Sequence, residues 1–108
     1  MARILIVDDE QSIRETLREI LEYEGYEIEE AEDGEKALNL IRKFNYDAVL
    51  ADIKMPKLDG IELLEKAKEI VPELPFVMIS GHGTTETAVE ATKKGAFDFI
   101  NKPPDLNK

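Results

Sequence analysis

Four places in this chain of 108 residues hold side chains suited to one kind of chemistry, each at the end of a short apolar run. Asp8-Asp9-Glu10 follows Ile4-Leu5-Ile6-Val7, and Asp52 follows Ala48-Val49-Leu50-Ala51. Ser80 follows Phe76-Val77-Met78-Ile79, and Lys102 comes two residues after Ile100. If these runs are neighbouring strands pointing the same way, three aspartates, a hydroxyl and an ammonium meet at one rim. Carboxylates that close repel: at about 5 Å and an effective dielectric of about 20, an ionised pair costs roughly 3 kcal/mol. A divalent cation offsets this, and Mg²⁺ suits the donor set because it prefers an octahedron of oxygens and keeps several waters. Its remaining positions take phosphate oxygens, which brings phosphorus beside a carboxylate nucleophile. Lys102 supplies a second positive charge and Ser80 a hydrogen bond. Phosphoryl transfer needs little beyond such positioning and charge neutralisation.

The elements between these points must build that rim. The three apolar runs are each four residues long and unbroken by polar residues, as expected of strands covered on both faces. Tyr26 to Ala31 alternates instead, with Tyr26 and Ile28 on one side and Glu27 and Glu29 on the other, which suits a charged edge strand. Phe97 to Ile100 is a fifth, shorter candidate. Helical spacing links Ile13, Leu17, Ile20 and Leu21, with Gly25 as the stop. Asp33 caps a second helix whose inner face is Ala37, Leu38 and Ile41. Asp59 and Glu62 make a capping-box start for a third, which buries Ile61, Leu64 and Ala67 before Pro72 and Pro75. Thr84 caps a fourth, ending near Lys94 and Gly95. The order βαβαβαβαβ with right-handed crossovers predicts an α/β fold, a doubly wound five-stranded parallel sheet in the order 2-1-3-4-5. Ligands in such sheets sit beyond the carboxyl ends of the strands where the order reverses, here between the first and third. Residues 1–108 read as one domain. A fifth helix is expected after Lys102-Pro103-Pro104-Asp105, and the chain reads as a domain truncated before it.

Composition narrows the partners. Lys plus Arg number 14 against 24 Asp plus Glu, a net charge of −10. That repels nucleic acid and anionic membrane, so no direct binding to either is expected. The absence of cysteine excludes disulfides, thiolate metal sites and a Cys nucleophile. No apolar run nears the roughly 18 residues of a membrane span, and the start turns acidic too soon for a signal peptide, so the reading is cytoplasmic.

Asp8-Asp9, the run Leu50-Ala51-Asp52-Ile53-Lys54-Met55-Pro56 with Asp59-Gly60, then Ser80-Gly81 and Lys102-Pro103 together resemble bacterial response regulator receiver domains of the CheY-like kind. The resemblance covers the chain from residue 2 onward. It implies Asp52 as phosphoacceptor, with Asp9 and Asp52 on Mg²⁺ directly, the main-chain carbonyl of Lys54 as a further ligand, and Asp8 acting partly through water. It implies Lys102 on the phosphoryl group, next to a cis bond to Pro103, and Ser80 and Phe99 as the switch pair. The implied donor is a phosphohistidine on a sensor histidine kinase, or a small acyl phosphate. The segment from Ser80 to Ile100 resembles NtrC-type regulators, whose receiver precedes a sigma-54-dependent ATPase and a DNA-binding domain. In the family, the surface of the fourth helix, fifth strand and fifth helix changes on phosphorylation and alters dimerisation, which implies a receiver homodimer; with the fifth helix lost, a segment-exchanged dimer is the alternative expectation.

Blander roles compete residue by residue. Asp8 and Asp9 suit a helix cap, Asp52 a loop acid, Ser80 a loop hydroxyl, Lys102 a solvated charge and Phe99 plain core. Asp59 is assigned to capping. His82, the only histidine, stands at a family position that tunes phosphoaspartate lifetime. Glu15, Glu19 and Glu22 read as a solvated face. A flavodoxin-like flavin carrier shares the sheet, but Asp8-Asp9-Glu10 would repel the flavin phosphate. A dehalogenase-type phosphatase wants a second Asp two residues beyond the one ending the first strand, where Gln11 follows Asp9-Glu10 instead. An interaction module with a dead site has all the catalytic side chains against it.

Overall fold

The structure, a computed structural model, describes residues 2–80 and 85–101. The elements run β1 (Arg3–Val7), α1 (Gln11–Tyr23), β2 (Glu27–Ala31), α2 (Gly34–Lys43), β3 (Ala48–Asp52), α3 (Gly60–Ile70), β4 (Phe76–Ser80), α4 (Thr85–Lys93) and β5 (Asp98–Asn101). All strand pairs are parallel, in the order β2-β1-β3-β4-β5, as the sequence predicts. Thr84 and the expected fifth helix lie outside the described residues.

The unbroken apolar runs divide between two cores. Leu5 and Val7, Val49 and Ala51, and Phe76 and Met78 face one side, against Ala37, Leu38 and Ile41 of α2, Ile61, Leu64 and Ala67 of α3 and Ala91 of α4. Ile4, Ile6 and Ile79 face the other, against Leu17 of α1, with Ile28 of β2. Strict alternation within runs of four apolar residues is what a doubly covered strand requires.

Helix ends follow local chemistry. The Asp33 carboxylate accepts from the Lys36 N–H at 2.8 Å, and Asp59 and Glu62 complete a reciprocal capping box. Gly25 (φ +96) and Gly95 (φ +103) end α1 and α4 in the left-handed region that favours glycine. Three sequence expectations differ. Tyr26 precedes β2 and Phe97 precedes β5, both exposed, and Ile20 is exposed although it lies on the helical stripe. Leu17 is the only buried residue of α1, flanked by half-buried Ile13 and Leu21, so the stripe is wider than the sheet surface beneath it. No helix among the described residues is long and apolar enough to cross a membrane.

Candidate functional site

The rim is set by register. Val7 and Ala51 are partners in the β1–β3 ladder, so Asp8 and Asp52 come next on adjacent strands, where the strand order reverses. Both are buried, Asp8 at 2% and Asp52 at 6% exposure. They are the only buried charged residues described, and no buried side-chain oxygen or nitrogen among the described residues lacks a hydrogen-bond partner.

Asp8 is held through every part of its peptide. Its N–H donates to the Ala31 carbonyl (3.2 Å), its Oδ1 accepts from the Glu10 N–H (2.8 Å), and its carbonyl accepts from Arg14 Nη1 (2.7 Å). Neither Asp8 nor Asp9 is the helix cap. Glu10 takes that position and makes no side-chain capping bond, so the capping explanation for the acidic pair does not hold. Asp9 and Glu10 are exposed, and Asp8, Asp9 and Glu10 can each offer a carboxylate oxygen within 4.8 Å of the others. Glu10 is the member the sequence reading does not single out as a ligand. Its signal is adjacency alone.

Behind Glu10, Arg14 Nε donates to Glu30 Oε1 at 3.0 Å, and Arg18 Nη1 donates to Glu30 Oε2 at 2.6 Å. Burial pushes the Glu30 carboxyl up, but the hydrogen bonds from Arg18 and Arg14 outweigh it and hold the group below its ordinary range.

The loop after β3 is fixed by close packing. Ile53 and Met55 are buried, while Lys54, between them, exposes its side chain. The Gly60 N–H donates to the Ile53 carbonyl at 2.7 Å. A Cβ at Gly60 would overlap the Asp52 carbonyl oxygen and stand 2.9 Å from Asp52 C and Ile53 Cα. Only glycine lets α3 start this close to the strand end that carries Asp52.

Ser80 ends β4 opposite Asn101 of β5, so its main chain reaches the same rim. Lys102 is the next residue in sequence; it, His82 and the bond to Pro103 lie outside the described residues. Phe99 is half-buried and packs against the α2–α3 core, opposite Met78. The structure thus brings Asp8, Asp9 and Asp52 to one rim, with Lys54 in the loop just beyond and the end of β4 beside them.

The donor set fits Mg²⁺: hard carboxylate oxygens cluster at the rim, and the described residues hold no cysteine or histidine there to favour a softer metal.

Known proteins resemble this chain in sequence and in fold. The model of the response regulator receiver domain matches residues 4–108. The nitrogen assimilation regulatory protein NtrX of Azorhizobium caulinodans is 50% identical over 102 residues, covering 93% of this chain and 22% of that protein. The regulatory protein AtoC of Escherichia coli is 41% identical over 106 residues, covering 98% of this chain and 23% of that protein. The chain thus spans less than a quarter of either relative. A solved response regulator from Burkholderia pseudomallei, with a phosphorylated aspartic acid, calcium ion and citrate, superposes with a TM-score of 0.90. It is 25% identical, over 99% of this chain and 63% of that one. The two relatives fit the NtrC-type, sigma-54-dependent subgroup that the Ser80–Ile100 segment resembles. A five-stranded sheet ordered 2-1-3-4-5, an acidic rim at its reversal point and a family match over nearly the whole chain lead to one assignment: the chain belongs to the receiver domains of two-component response regulators.

Proposed function

We propose that Asp52 accepts a phosphoryl group from a sensor histidine kinase and that its phosphorylation switches a transcriptional output. The observation that carries this reading is the pair of buried carboxylates, Asp8 and Asp52, side by side at the sheet's reversal point with exposed Asp9 and Glu10 beside them. The phosphorylated aspartic acid and calcium ion in the Burkholderia protein support it.

Asp8, Asp9, Asp52 and the Lys54 carbonyl would hold the cation. When bound, Mg²⁺ neutralises the acids and draws phosphate oxygens to the rim. An Asp52 carboxylate oxygen then forms a bond to phosphorus while the P–N bond of the donor phosphohistidine breaks, its electron pair staying on the imidazole. Lys102 contacts the transferred group, and the Ser80 hydroxyl donates to it once it is on Asp52. Phe99 turns inward behind Ser80, carrying the change toward α4 and β5. The chain catalyses its own phosphorylation and dephosphorylation, and His82 and Lys54, each two residues beyond a site residue, set how fast water attacks the phosphoaspartate. The partner is the kinase, with a receiver homodimer formed in response. Direct contact with nucleic acid or membrane is not part of this reading, and the setting is cytoplasmic.

The test is incubation with acetyl phosphate and Mg²⁺, followed by intact-mass spectrometry. A gain of one phosphoryl mass that chelator and Asp52→Ala each abolish is expected. No gain, or a gain that survives Asp52→Ala, overturns the reading.

A further inference from the structure

We propose that Arg14 is a positioning residue for the cation site: anchored by Glu30 of β2, it grips the Asp8 carbonyl and thereby orients both Asp8 and Asp9. This rests on the cation reading above.

The geometry is a two-ended clamp. Arg14 Nη1 donates to the Asp8 carbonyl at 2.7 Å while Nε of the same guanidinium donates to Glu30 Oε1 at 3.0 Å. Glu30 is itself fixed, because its other oxygen accepts from Arg18 Nη1 at 2.6 Å. Arg18 is held in turn by Glu22 (3.0 Å) and the Ile28 carbonyl (3.3 Å). The side chains of Arg14 and Glu30 are 14% and 22% exposed, so the clamp is shielded from solvent far more than an ordinary surface pair.

The held atom matters. The Asp8 carbonyl oxygen lies in one rigid peptide plane with the nitrogen and Cα of Asp9. Fixing that oxygen fixes the direction in which exposed Asp9 leaves the main chain. Lysine cannot replace the clamp, since a single ammonium lacks the planar fork that reaches two acceptors in fixed directions.

Charge alone predicts the opposite sign, which makes the inference testable. A guanidinium near a cation site repels the cation, so if Arg14 acted only through charge, neutralising it would tighten binding. A positioning residue weakens binding when removed, by about ten-fold for a partner that orients metal ligands.

The experiment measures Mg²⁺ affinity by amide NMR titration, alongside thermal melts, for wild type, Arg14→Lys, Arg14→Gln, Glu30→Gln and the double variant Arg14→Lys/Glu30→Gln. The expected result is a dissociation constant raised about ten-fold in each single variant, with the double variant no weaker than the singles because both act through one clamp. Arg14→Lys, which keeps the charge, and Glu30→Gln, which keeps the shape, guard against loss of folding in Arg14→Gln. Unchanged or tighter binding in folded single variants overturns the role of Arg14 while leaving the site reading intact. Lower melting temperatures with unchanged affinity assign Arg14 to stability and overturn it equally. Absence of Mg²⁺ binding by wild type overturns the site reading, and this inference with it.

Discussion

At the scale of residues, Gly60 shows how little room the loop after β3 has. Its φ is not in the left-handed region, yet an added Cβ would run into the main chain of Asp52 and Ile53, which no side-chain rotation can relieve. Gly25 is the reverse case, with φ +96 and nothing within 4 Å of an added Cβ. Gly25→Ala should cost about 1 kcal/mol through backbone strain. Gly60→Ala should cost about 2–3 kcal/mol through overlap with the main chain, and it should also slow phosphorylation, because the strand end moves. Urea unfolding of the two variants checks the order; a smaller loss at Gly60 would mean that α3 shifts freely. At this scale the sequence is informative where chemistry is local. Asp8, Asp9 and Asp52 are legible because each ends an apolar run, and Asp59 because Glu62 follows three residues on. Arg14 is not, because nothing in its neighbours' spacing reveals that a turn of helix swings it back onto the Asp8 carbonyl.

Elements carry their own signals, which is why their order is legible from the sequence while some of their faces are not. The Asp33 and Asp59 caps and the two left-handed glycines mark helix ends through bonds made within a few residues. The exposure of Tyr26 and Ile20 depends on how far the sheet extends beneath them, a property of the assembled fold that periodicity does not contain. The junction of α1 with β2 has a consequence for pH. The Glu30 carboxyl is held below its ordinary value of 4.5 in the folded chain, so the unfolded chain binds that proton more readily. Its contribution is therefore fully present above the unfolded value and is lost as pH falls through the lower folded one. Glu30→Gln should lower stability at neutral pH by on the order of 1 kcal/mol. The gap from wild type should close as pH falls below about 4.5. Urea midpoints across that range test it, and a gap that widens on acidification would show that Glu30 is not the titrating partner.

On the scale of the whole molecule, the net charge of −10 and the acidic rim both oppose folding, but they answer to different remedies. Diffuse surface repulsion is screened by any salt over a Debye length of about 10 Å at 0.1 M. The rim is partly buried, so screening reaches it poorly, and the proposed cation would act there directly. Mg²⁺ at about a hundred times its dissociation constant should stabilise the fold by about 2.7 kcal/mol. For a chain of this size that is a rise of roughly 10 °C in melting temperature. NaCl at equal ionic strength should give only the smaller, screened part. Asp52→Ala should separate the two, because it removes a ligand and a repulsion together. On adding Mg²⁺ it should keep the screening increment and lose the remainder. Calorimetry of the two proteins under chelator, NaCl and Mg²⁺ makes the comparison, and equal rises with the two salts in wild type would mean that no cation binds among these acids.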